Sequence, residues 1–272
     1  MRRRVHAAEH QGTAPAVSPA VSGAAAGGLI ARSLRRTLRL GGFALGLLYG
    51  IVLALLALIR KNPHPLAGHY YRLMSRIVGL RITVDGTATA APTLLVGNHI
   101  SWLDILVIGS AVDTLFVSKA DVKRWPVVSL LTRAGKTLYI ERGAHGTADL
   151  RAQMREHFAN GERVLIFPEG TTTRGDDTRR FQPRLFAVAI EHAIPVQVFA
   201  VHYRQAIAAY VDDISLMDVL WGCIAEPHID VYLRLGPVLP PCERRDDYAR
   251  AAQDWTRAEL AEFHRTHPRF DS

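Results

Sequence analysis

The feature that most constrains this chain is a run of twenty uncharged residues, Leu40 to Ile59. Arg32, Arg35, Arg36 and Arg39 precede it, and Arg60 and Lys61 close it. As a helix the run would be about 30 Å long, the thickness of a bilayer's hydrocarbon core. A cleaved signal peptide fits poorly, because a long segment precedes the run and no small-x-small site follows it. The competing reading is a buried apolar helix of a soluble domain. Basic residues near the run are balanced, with the four arginines before it set against Arg60, Lys61, Arg72 and Arg76 after it. The positive-inside rule therefore assigns no orientation, as expected of a re-entrant or interfacial helix. Leu66, Tyr70, Leu73, Met74, Ile77 and Leu80 then recur at helical spacing, which suits either the head-group region or a protein core. The expectation is a hairpin over residues 40–80 in one leaflet, with both flanks cytoplasmic and their basic residues on anionic head groups.

Around this run the organisation is simple. Residues 1–31 are rich in Ala, Gly, Ser and Pro with no periodicity and read as a disordered arm. Residues 32–80 read as membrane-anchoring helices. From residue 81 onward, short apolar runs alternate with amphipathic helices. The expected strands are Arg81–Val84, Thr93–Gly97, Leu115–Val117, Thr137–Ile140, Arg163–Phe167, Val196–Val201 and Ile229–Leu235. Expected helices are Trp102–Gly109, Val127–Arg133, Ala148–Asn160, Pro183–His192 and Arg244–His264. This predicts a single α/β domain with a central mixed sheet flanked by helices, preceded by the N-terminal membrane-associated helical segment.

Composition narrows the function. Charged residues at 21% and a hydrophobic share of 49% exclude a disordered chain and a multi-span membrane protein. The two cysteines, Cys223 and Cys242, form neither a disulfide framework nor a CxxC pair, which points to a reducing compartment. A net charge of +8 asks for an anionic partner.

Two stretches carry chemistry. In Thr93-Leu-Leu-Val-Gly-Asn98-His99-Ile-Ser101-Trp102-Leu103-Asp104, a buried strand ends at His99 and a helix starts near Ser101. Ligands of open α/β sheets sit beyond the carboxyl ends of strands, which is where this places His99. Asp104 can reach back to one imidazole nitrogen and leave the other as a general base. The spacing alone is weak, since about one His-x4-Asp is expected by chance in such a chain. Ser101-Trp-Leu-Asp104 also has the form of a capping box, in which Asp104 only receives an N-cap amide. The second stretch is Phe167-Pro168-Glu169-Gly170-Thr171-Thr172-Thr173, again after an apolar strand. Pro168 ends the ladder, Gly170 permits positive φ, and the following amides can form an anion-binding nest.

Taken together, Asn98-His99-x4-Asp104 followed by Phe167-Pro168-Glu169-Gly170-Thr171 resembles the glycerolipid acyltransferases, in particular the 1-acylglycerol-3-phosphate acyltransferases. Phe116-Val-Ser-Lys119 is similar to the family's basic strand end. Leu138-Tyr139-Ile140-Glu141-Arg142-Gly143 is similar to its second block, with Arg142 at the position assigned to the substrate phosphate, and Ile194-Pro195-Val196 looks like the start of its fourth. The family's third block commonly continues with Arg and Ser, where this chain has Thr172 and Thr173; Val198 stands where the fourth often has a second Pro.

The resemblance implies that residues 81–272 form an acyltransferase domain. It would move a fatty acyl group from acyl-CoA or acyl carrier protein to the free hydroxyl of a lysophospholipid, foremost 1-acylglycerol-3-phosphate, giving phosphatidic acid. Another lysolipid, such as lyso-ornithine lipid, is the alternative acceptor. His99 and Asp104 are the implied catalytic pair. Asn98, Ser101, Lys119, Arg142, Glu169, Gly170 and Thr171 are the implied substrate-binding set. Neither a metal nor a cofactor is expected, and HExxH, P-loop, GxGxxG and GxSxG patterns are absent. The partners expected are membrane lipids and the two substrates, at the cytoplasmic face of the inner or plasma membrane. A basic nucleic-acid-binding protein is the rival from another class, but no reading motif accompanies the charge. A non-catalytic membrane tether is disfavoured by intact His99, Asp104 and Glu169.

Overall fold

The computed structural model describes residues 19–60, 67–141, 144–211 and 213–270. Helix α1 (Pro19–Arg60) contains the apolar run. It begins inside the segment expected to be a disordered arm, because the Ala-rich stretch after Pro19 extends a helix already nucleated by the run. Residues 1–18 lie outside the described residues.

Helix α2 (Ala67–Val78) packs antiparallel on α1 through a glycine stripe. A methyl on Gly46 would lie 2.5 Å from Met74 Sδ, and one on Gly50 would lie 2.7 Å from the Tyr70 ring. Gly42 faces Ile77 in the same register. Glycines four residues apart let two helix backbones approach closely. The opposite face of α1 exposes Leu34, Leu38, Leu45, Leu48, Val52, Leu55 and Ile59, again at helical spacing.

Seven strands follow. They are β1 (Leu80–Asp85), β2 (Thr93–Gly97), β3 (Leu115–Lys119), β4 (Leu138–Ile140), β5 (Arg163–Ile166), β6 (Val196–Tyr203) and β7 (Ile229–Val238). They form one mixed sheet in the order β1-β7-β6-β2-β5-β3-β4. Strands β2 to β6 run parallel to one another, whereas β7 is antiparallel to β6 and parallel to β1. The carboxyl ends of β2, β3, β4, β5 and β6 therefore share one edge.

Alternation along β2 splits the core. Leu95 faces a cluster with α2, helix α3 (Leu103–Ala111) and helix α7 (Leu216–Ala225). Leu94 and Val96 face the other side, with helices α5 (Ala144–Ala159), α6 (Ala187–Glu191) and α8 (Arg245–Thr266). The remaining helix, α4 (Pro126–Ala134), packs against α1.

The sequence reading omits α7, whose start is a complete capping box between Ser215 and Asp218. This helix changes the role of the basic flank. Arg39 donates to the Glu226 and Pro227 carbonyls at 2.6 and 2.9 Å, and Arg35 to the Ala225 carbonyl at 2.8 Å. Arg36 stacks on Trp221. Carbonyls at a helix C-terminus lack intrahelical donors and attract cations, so Arg35 and Arg39 tie α1 to the end of α7.

Candidate active site

The site is built at the shared strand edge, where β2 hands the chain to α3. Asn98 extends the ladder past Gly97: its side-chain amide donates to the Val201 carbonyl and accepts from the Val201 amide, both at 2.9 Å. Asn98 is wholly buried and both its polar atoms are engaged by β6, which makes it a positioning residue rather than the substrate contact the motif implied.

His99 follows. Its Nδ1 lies 2.7 Å from Asp104 Oδ2, and its ring stacks on Phe167 with centroids 3.8 Å apart. The imidazole is 20% exposed and Asp104 is wholly buried. A carboxylate at Nδ1 fixes the Nδ1–H tautomer and leaves Nε2 to receive a proton.

The same Asp104 oxygen accepts from the Ile100 amide at 2.8 Å and the Ser101 amide at 3.1 Å. Half of the capping box therefore exists, and it serves the dyad: the amides at the helix entrance hold the carboxylate in line with the imidazole. The other half is missing, since Ser101 Oγ is buried with no hydrogen-bond partner among the described residues. Tyr203, at the end of β6, donates its hydroxyl to Asp104 Oδ1 at 2.7 Å. Sequence reading ended that strand at Val201 and missed this tyrosine; the only signal was that Tyr203 continues the buried alternation of Phe199 and Val201.

Glu169 stitches the second stretch to the first. Its Oε1 accepts from the His99 amide at 2.9 Å and its Oε2 from the Arg179 amide at 2.8 Å. Burial pushes its carboxyl up to about 7, against the opposing effect of those two backbone donors. Glu169 is 5% exposed, so it also positions His99 rather than facing solvent.

Gly170 turns the chain at φ +72° and donates its amide to the Phe167 carbonyl, while Thr173 donates to the His99 carbonyl. Both amides are engaged and are unavailable as oxyanion donors. Thr172 Oγ1 donates to the Tyr210 carbonyl, which ties this loop to the segment after β6. Thr171 is half-buried in the same turn.

Of the other implied residues, Lys119 lies apart from this cluster. Lys119 is exposed at the carboxyl end of β3, and β5 separates β3 from β2, which sets the two about 10 Å apart. Arg142 lies outside the described residues. Among the described residues, no group of three or more His, Cys, Asp or Glu is arranged to hold a metal ion.

The site is thus a histidine backed by a buried carboxylate, at the carboxyl edge of the parallel strands. The comparisons agree. The acyltransferase family model matches residues 81–202. The chain is 35% identical over 185 residues to the lyso-ornithine lipid O-acyltransferase of Pseudomonas aeruginosa, covering 66% of this chain and 72% of that one. It is 26% identical over 179 residues to the 1-acyl-sn-glycerol-3-phosphate acyltransferase of Neisseria gonorrhoeae, covering 63% and 70%. The fold matches the crystal structure of the 1-acyl-sn-glycerophosphate acyltransferase of Thermotoga maritima with a TM-score of 0.60 at 16% identity, over 85% of this chain and 97% of that one. This chain belongs to the family of lysolipid acyltransferases, and it is an acyltransferase.

Proposed function

We propose that the chain transfers a fatty acyl group from acyl-CoA or acyl carrier protein to the free hydroxyl of a lysolipid, with His99 as general base. His99 Nε2 takes the hydroxyl proton while the oxygen attacks the thioester carbonyl. Asp104 balances the imidazolium that forms. Collapse of the tetrahedral intermediate breaks the C–S bond, and the imidazolium returns its proton to the departing thiolate. General-base assistance of this kind contributes roughly 10²–10⁴ in rate. The observation that carries the reading is the 2.7 Å contact between His99 Nδ1 and a wholly buried Asp104.

Two acceptors are supported by different observations. The family's arginine is replaced by Thr172, whose hydroxyl is bound to a backbone carbonyl, so this position offers no cation to a phosphate. That favours a lysolipid without a phosphate, and relatives named for lyso-ornithine lipid share 31% to 35% identity with the chain. Arg142, at the position the motif assigns to phosphate, favours 1-acylglycerol-3-phosphate. The test is acyl transfer by membranes containing the protein, with each acceptor and both donors. Preference for lyso-ornithine lipid, shifted toward 1-acylglycerol-3-phosphate by Thr172→Arg, supports the first acceptor. A preference for 1-acylglycerol-3-phosphate that Arg142→Ala removes supports the second. Loss of neither activity in His99→Ala refutes the general-base reading.

We also propose that α1 and α2 sit in one leaflet with the catalytic domain on the cytoplasmic side. Support comes from the exposed apolar stripe of α1, opposite the face that packs on α2.

A further inference from the structure

Tyr203 is 1% exposed and stands at the last position of β6, where the sheet edge meets the first turn of α3. Its hydroxyl reaches Asp104 Oδ1 at 2.7 Å. The two carboxylate oxygens are served unequally. Oδ2 faces His99 Nδ1 and the amides of Ile100 and Ser101, whereas the tyrosine hydroxyl is the donor to Oδ1. Among the described residues, removing that donor would leave the outer oxygen unpaired and the carboxylate without a restraint on rotation about its Cβ–Cγ bond from that side.

We infer that Tyr203 is a positioning residue of the catalytic dyad, one that holds the Asp104 carboxylate in the plane of the His99 imidazole and restrains its basicity during proton transfer. This rests on the general-base reading above. A carboxylate that receives a charge-assisted hydrogen bond on its outer oxygen is a weaker base. When His99 becomes an imidazolium, the shared proton then stays on Nδ1, and Nε2 keeps the proton it must deliver to the thiolate. Burial and the neighbouring Asp104 charge raise the phenol well above its ordinary range, so it remains a donor throughout the working pH range. Its carbonyl is held by Arg269 Nε at 3.2 Å, and Arg269 in turn pairs with Asp176 at 2.9 Å in the loop that follows Thr173. The tyrosine is thus fixed from both ends of the site.

The test compares Tyr203→Phe with the unaltered protein in membranes, measuring kcat, acceptor KM and the pH dependence of kcat/KM, with His99→Ala as reference. Removing one hydrogen bond to a charged group should lower kcat by about ten- to a hundredfold and leave acceptor KM unchanged. The acid limb of the profile should move to higher pH, because a carboxylate stripped of its outer donor holds the dyad's proton more tightly. Replacing Tyr203 by 3-fluorotyrosine keeps the volume and strengthens the donor, so its acid limb should move to lower pH. This second protein decides the matter if Tyr203→Phe fails to fold: no shift, or a shift upward, overturns the inference. So does a Tyr203→Phe enzyme with lowered melting temperature but unchanged kcat and profile. Inactive His99→Ala beside a neutral Tyr203→Phe would leave the general-base reading standing and remove only this inference. Active His99→Ala would remove both.

Discussion

Replacing Asp104 by Asn separates charge from geometry at this site. An asparagine in the same rotamer keeps an oxygen at the Oδ2 position, so the His99 Nδ1–H and the Ile100 and Ser101 amides keep their acceptor. Its NH2 group replaces Oδ1 and meets Tyr203, whose hydroxyl turns from donor to acceptor. Every contact is thereby retained, and the expected stability loss is about 1 kcal/mol, the difference between charge-assisted and neutral hydrogen bonds. The rate should fall far more. With His99 Nδ1 and Asp104 Oδ2 at 2.7 Å, the charge centres of an imidazolium–carboxylate pair stand about 4 Å apart, where an effective dielectric of about 20 gives roughly 4 kcal/mol. That is close to a thousandfold in rate. The assay is steady-state acyl transfer with saturating donor, paired with thermal unfolding of the same preparation. A folded Asp104→Asn enzyme within tenfold of the unaltered rate would refute the reasoning and return Asp104 to an ordinary helix cap.

Other outcomes follow from the same geometry. Ser101→Ala should leave both rate and stability nearly unchanged because its hydroxyl has no partner among the described residues, whereas Ser215→Ala should cost about 1 kcal/mol by removing a true N-cap, both read by thermal unfolding. Glu169 titrates near 7 in the folded chain against an ordinary 4.5, so the folded state binds this proton more tightly and stability falls as pH rises through that window. Melting temperatures of Glu169→Gln from pH 4.5 to 7 should lack a decline that amounts to at most about 3 kcal/mol in the unaltered protein. Gly46→Leu should lower the melting temperature in detergent by several degrees, since its first added carbon already meets Met74.

Much of this architecture is legible in the sequence, and the exceptions have physical causes. All seven strands overlap expected ones: β2, β5 and β6 are buried on both faces and read as apolar runs, whereas β7 reads as an alternation of buried and partly exposed positions. The extension of β6 to Tyr203 is where the position that matters for Asp104 was lost. The pattern Ser-x-x-Asp occurs at both Ser101 and Ser215 and has a different outcome at each. At Ser215 both reciprocal bonds form, on an exposed helix start with no competitor. At Ser101 the carboxylate also faces an imidazole and a tyrosine, and those partners come from a loop and a distant strand that spacing cannot reveal. The roles of Asn98 and Glu169 were hidden for a related reason. A motif names residues that recur near a reaction, but only burial and hydrogen-bond partners separate those that touch substrate from those that hold His99 in place.

The anchor poses the same problem on a larger scale, and its topology can be argued to an experiment. The run Leu40–Ile59 is long enough to cross a bilayer, and an 18-residue stretch within Ala31–Ile59 has a mean hydropathy of 2.5 with 17% of it buried. A crossing would put its two ends on opposite faces of the membrane. Before the run, however, Arg35 and Arg39 donate to carbonyls at the end of α7, in the catalytic domain. After the run, α2 leads directly into β1 of the same domain, with Gly79 joining them. One domain cannot hold both flanks unless both flanks lie on one side. The hairpin is therefore expected to enter a single leaflet, with the leucine stripe outward and the glycine stripe against α2. Single cysteines at Ser22 and Thr87, in a protein whose Cys223 and Cys242 have been replaced, would be treated in intact cells with a membrane-impermeant thiol reagent. Both should be protected until the membrane is permeabilised, and labelling of the Ser22 site alone in intact cells would establish a true span and break the contacts that Arg35 and Arg39 make.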